Sequence, residues 1–108
     1  MGYELHITKA SDWVDATAHP IDERTWLALV ARISDLTANG TVSFSDGPSG
    51  EAIEYPIYLL RSADGPSLYW RRGEVVVSGA LSDDIPGIVR LGAALEAHVV
   101  GDDGERYT

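Results

Sequence analysis

The chain contains no cysteine. That excludes a disulfide framework, a thiolate nucleophile and any cysteine-ligated zinc or iron–sulfur site. Positive charge is also scarce. Lys9 is the only lysine, and eight basic residues stand against seventeen acidic ones, for a formal net charge of −9 over 108 residues. The basic residues are scattered, and only Arg71 and Arg72 adjoin. No basic stripe is therefore available to neutralise phosphates, and nucleic acid is disfavoured as a partner. Anionic membrane is disfavoured on the same ground. Apolar runs fall far short of the roughly 20 residues of a membrane span. Residues Met1 to Lys9 alternate polar and apolar types where a signal peptide would carry a continuous apolar segment. The expected location is cytoplasmic.

What is present suits one α+β domain over 1–108. Apolar residues make up 44% of the chain, enough for one modest core. Tyr3, Leu5 and Ile7 alternate with Glu4, His6 and Thr8, the pattern of a half-buried strand. Trp13 falls in a loop and is expected to pin it to the domain. Asp22 suits a helix cap, and Trp26, Leu29, Val30 and Ile33 follow at helical spacing. Asn39-Gly40 reads as the turn that ends this helix, with a strand starting at Val42.

The next strand carries Ile53, Tyr55, Ile57 and Leu59 on one face and Glu54, Pro56, Tyr58 and Leu60 on the other. Pro56 places it at an edge or bulge. Asp64-Gly65-Pro66 is a turn, and Leu68–Trp70 and Glu74–Ser78 form a hairpin around Gly73. Ser82, Asp83 and Asp84 open a second helix that carries Ile85, Ile88, Leu91 and Leu95. Gly92 weakens this helix or lets it approach the sheet closely. His98 to Val100 is a last strand. The simplest packing is an antiparallel sheet of five to six strands with two helices on one face. Residues 101–108 form an acidic turn, with room for a small hairpin around Asp103-Gly104.

Few residue patterns carry recognisable chemistry. His6, His19 and His98 form no H-E-x-x-H and no close pair. Glu4 and His6 share a strand face and would offer two metal ligands if His98 lay on a neighbouring strand. Read by themselves they are exposed sheet residues, and no metal or cofactor site is assigned. Asp102, Asp103 and Glu105 read as solvated charges, since the full calcium-loop pattern is absent. Ser49, in Gly47-Pro48-Ser49-Gly50-Glu51, misses the nucleophile-elbow spacing by one residue. Glu51 and Glu54 are too weak a pair for general acid and base. Phosphate-loop glycine patterns are missing as well. No catalytic residue is assigned, and the balance favours a non-enzyme.

The aromatic residues give the remaining candidates. If the helices cover Tyr55 and Trp70, then Tyr58 and Tyr69 stand on the open sheet face, with Arg71 and Arg72 beside them. Exposed tyrosine and arginine are enriched at interface hot spots, so these four form the candidate interaction site. The two chain ends, Met1-Gly-Tyr-Glu-Leu-His-Ile-Thr-Lys9 and Val100-Gly-Asp-Asp-Gly-Glu-Arg-Tyr107, together with Trp26-Leu27 in the first helix, resemble a family of small uncharacterised bacterial proteins. The resemblance implies a bacterial, cytoplasmic origin and brings no activity or catalytic residue. The expected function is a non-enzymatic protein-interaction module, in its most concrete form an immunity-like protein binding a basic partner. Self-association through the open sheet is another form. The competing expectation is a small hydrolase or small-molecule-binding protein.

Overall fold

A computed structural model describes residues 3–11, 16–61 and 65–107. Trp13 and Asp64 fall outside these residues. Strand β1 (Glu4–Thr8) is followed by helix α1 (Glu23–Arg32) and four strands: β2 (Leu36–Phe44), β3 (Ile53–Leu60), β4 (Ser67–Arg71) and β5 (Glu74–Ser78). A single 3-10 turn, Ser82–Asp84, leads into helix α2 (Ile85–Ala94), and strands β6 (His98–Gly101) and β7 (Arg106–Tyr107) close the chain. The strands form one antiparallel sheet in the order β2-β3-β4-β5-β1-β6-β7. The α+β expectation holds, with seven strands in place of five to six.

Strand β1 is first in sequence but pairs on both sides, with β5 and with β6. Alternate residues of a strand point to opposite faces. Leu5 and Ile7 therefore face the helices, where they join Val75, Val77 and Val99 with Trp26, Leu29, Ile88, Leu91 and Leu95 in the core. His6 and Thr8 point the other way, yet they are also buried. This corrects the half-buried reading of β1. A strand with neighbours on both sides, and a turn folded over one face, is covered twice. Gly92 serves close approach: a β-carbon there would meet Val99 Cγ2 at 3.3 Å and the Ala97 carbonyl at 3.4 Å.

Three local readings need correction. Helix α1 ends at Arg32 and β2 begins at Leu36, so Asn39-Gly40 lies inside β2. The register shifts between Ala38 and Thr41, and Gly40 has φ +77°, so the glycine supplies a bulge instead of a helix stop. Asp22 occupies the cap position of α1, but its side chain makes no capping hydrogen bond. Its carbonyl accepts the Trp26 N–H at 3.1 Å.

The faces of β3 are also reversed. Tyr58 pairs with the core residue Leu68, and its ring meets Trp26 edge-on with centroids 6.1 Å apart. Tyr58 thus packs beneath the helices, and Tyr55 faces the opposite side. Of the β3 residues only Tyr58 and Leu59 pair with β4, so at Pro56 β3 has a neighbour on one side only, where proline is tolerated.

Ile7 is fully buried at the centre of this sheet, whereas Leu81 is 73% exposed. Urea denaturation should show Ile7→Ala destabilised by about 2–5 kcal/mol. Leu81→Ala should stay within about 0.5 kcal/mol of the parent.

Candidate acid and histidine site

The face of the sheet away from the helices holds a row set by strand register. Tyr69 of β4 pairs with Val76 of β5, which pairs with His6 of β1, which pairs with Val100 of β6. One residue beyond Gly101, the tight turn into β7 begins. The Gly101 N–H donates to the Glu105 carbonyl at 2.8 Å, and Gly104 has φ +86°. This turn folds Asp102 back over His6.

The imidazole is gripped from both ends. Its Nδ1 lies 2.5 Å from Glu74 Oε1, and its Nε2 lies 2.8 Å from Asp102 Oδ1. The other Asp102 oxygen accepts the backbone N–H of Glu4 at 2.9 Å. Glu4 shares the face of His6 and accepts the Ser78 hydroxyl at 3.0 Å. Glu4, His6 and Asp102 each present a donor atom within 4.8 Å of the others. Exposure falls off inward: the Asp102 side chain is 34% exposed, Glu74 12% and His6 4%.

Burial alone would lower the His6 pKa, but hydrogen bonds to Glu74 and Asp102 outweigh it, so His6 binds its proton more tightly than a free imidazole. With both ring nitrogens facing carboxylates, the doubly protonated ring satisfies both contacts. Asp102 moves the opposite way. Its burial favours the neutral acid, but the Glu4 N–H and His6 hold its pKa below the ordinary value. Three carboxylates around one imidazolium leave the cluster with a net negative charge.

The three-residue constellation suggested by sequence forms only in part. Glu4 and His6 do come together, but His98 pairs with Thr8 and lies outside the cluster. Asp102 takes its place. His98 Nε2 is buried without a hydrogen-bond partner among the described residues. Asp102 and Glu105 are not free solvated charges either, because Glu105 accepts hydrogen bonds from the hydroxyls of Tyr3 and Tyr107.

The four candidate interaction residues do not share one face. Tyr58 lies under the helices. Tyr69 lies on the far face, its ring centroid 5.7 Å from that of Phe44. Burial pushes the Tyr69 phenol upward and the charges of Glu4 and Glu74 add to it, which places Tyr69 beside the acid cluster. Arg71 donates a fork of two 2.8 Å hydrogen bonds to Asp46 and stacks 3.8 Å over Phe44. The strand does not continue through Arg72, which forms the two-residue turn with Gly73 at φ +53° and +87°. Arg72 also reaches Asp46, at 2.8 Å. Hydrogen bonds from Arg71 thus hold the Asp46 carboxyl far below the usual range.

No family model, curated protein or solved structure matches the chain. These comparisons place the chain in no family. No helix among the described residues is long and apolar enough to cross a membrane.

The His6 clamp carries a pH signature. The folded pKa is raised above 6.5, so the clamp's stabilisation is fully present below pH 6.5 and lost as pH rises through the higher folded value. Unfolding free energies from urea denaturation at pH 5.5 to 9 should fall across that window, by at most about 1.4 kcal/mol per pH unit. His6→Gln should flatten this component of the curve. An equal slope in parent and variant would assign the dependence elsewhere.

Proposed function

We propose that the domain is a small ligand-binding protein whose ligand is a divalent metal ion of the zinc and late-transition type, held by Glu4, His6 Nε2 and Asp102. One arrangement supports this reading. Glu74 grips Nδ1 and so turns Nε2 toward the more exposed Asp102, with Glu4 in the same cluster. Metal-binding histidines commonly donate their second ring N–H to a carboxylate, which fixes the ring and raises its basicity. A nitrogen with two carboxylate oxygens is a donor set for zinc or a first-row transition ion.

The cluster's negative charge favours a cation there. Three protein donors leave coordination positions for water or a second molecule, as in sites that act on what they bind. This favours the small-molecule-binding or hydrolytic reading over the interaction module. Tyr58, Tyr69, Arg71 and Arg72 offer that module little support, because they divide between two faces and both arginines are taken by Asp46.

Binding replaces the Nε2 proton, so affinity should rise with pH while His6 is protonated, by up to about tenfold per unit. Titration calorimetry with zinc or cobalt at pH 6 and pH 8 should show one ion per chain, with protons released. Glu74→Gln should weaken binding about 10–100-fold, and His6→Gln should abolish it. Cobalt should gain visible absorption on binding. Absence of saturable binding at both pH values, or equal binding by the His6 variant, would reject the proposal.

A further inference from the structure

On the other side of the sheet, a cavity of about 200 Å³ opens among Ile33 after α1, Asp35 before β2, Leu60 and Arg61 at the end of β3, and α2. Its apolar lining comes from Ile33, Leu60, Leu91 and Ala94. Two guanidinium groups meet at its polar end. A β-carbon on Gly87 would lie 2.7 Å from Arg61 Nη2 and 3.8 Å from Arg90 Nη2. Both arginines thus reach one point above a residue that has no side chain to fill it. Neither side chain makes a hydrogen bond or ion pair with the described residues.

This is an unusual use of charge in a chain with seventeen acidic residues against eight basic ones. Two cations held together without a carboxylate between them among the described residues repel each other, and an anion seated there relieves that repulsion. The backbone supports the placement. Arg61 has φ +73°, a left-handed conformation that is unfavourable for a residue with a β-carbon. Its N–H donates to the Asp35 carbonyl at 2.6 Å, which holds the end of β3 in that conformation. Strained positions of this kind cluster at ligand clamps.

We infer that this cavity is a binding site for a small organic carboxylate with a short apolar body. The guanidinium fork matches a carboxylate in shape and charge. Ile33, Leu60, Leu91 and Ala94 receive the apolar part. Asp35 also lines the cavity, so two arginines and one aspartate leave a single net positive charge. That balance suits a monoanion better than doubly charged phosphate. The site is separated by the sheet from Glu4, His6 and Asp102 and stands independently of the metal proposal.

The test uses the full chain and three probes: isovalerate, the uncharged isoamyl alcohol, and inorganic phosphate, each followed by amide chemical shifts to about 10 mM, enough to saturate a millimolar site. Isovalerate should shift residues around Gly87 and Arg90 saturably. The alcohol and phosphate should bind at least tenfold more weakly. Arg90→Ala should weaken isovalerate at least tenfold. Gly87→Ala provides a second variant that favours the helix while its β-carbon, 2.7 Å from Arg61 Nη2, displaces that guanidinium from the site, and it should abolish binding. No saturable shift with isovalerate would overturn the inference. So would equal binding of the alcohol or of phosphate, or isovalerate binding that survives Gly87→Ala.

Discussion

A charged imidazole buried in a sheet is tolerable only if both of its N–H groups find acceptors. His6 meets that condition with carboxylates from two other parts of the chain, Glu74 on β5 and Asp102 on the turn after β6. The clamp therefore fixes more than one side chain. It ties β1 to both of its neighbours on the face that the helices do not cover, and it draws the β6–β7 turn across that face. Asp102 also accepts the Glu4 N–H, so the start of β1 is held by the same carboxylate. The turn position and the negative cluster both centre on this one buried ring.

A second charged hub sits on the far face, across β4. Asp46 collects Arg71, Arg72 and the Tyr55 hydroxyl, while Phe44 and Tyr69 pack beside it. Together these contacts fasten the end of β2 to the β4–β5 turn. They also use both residues of the one adjacent arginine pair. Arg61 and Arg90 stand on the other side of the sheet without such a partner among the described residues, so identical side chains have structural employment on one face and open donors on the other.

Much of the architecture was legible from local pattern. Alternation at Glu4–Thr8 and Glu74–Ser78 marked strands, and the 3.6-residue spacing of Trp26, Leu29 and Val30 marked the first helix. Asn39-Gly40 misled because a glycine with positive φ ends a helix and shapes a strand bulge by the same freedom. On β3 the alternation itself was read correctly, but it cannot say which face the helices cover. That choice depends on Leu68 and Trp26, which lie outside the strand. The site was half legible. Glu4 and His6 share a face by period alone, whereas Asp102 joins them only through the β1–β6 register and a glycine turn. Arg61 and Arg90 carried no local signal, since their convergence depends on how α2 lies against the end of β3.

The position of β1 also bears on the order of events during synthesis. Glu74 leaves the ribosome 68 positions after His6, and Asp102 96 positions after it. At about 5–20 residues per second, the first strand waits several seconds for either neighbour. The β2–β5 meander can form by local hairpins in that interval, but the middle of the sheet cannot be filled until β5 is made, nor closed until β6 follows. Later-made strands therefore lock an earlier-made one in place. A nascent chain stalled before residue 98 would leave one whole edge of β1 unpaired, a surface open to another chain or to a chaperone.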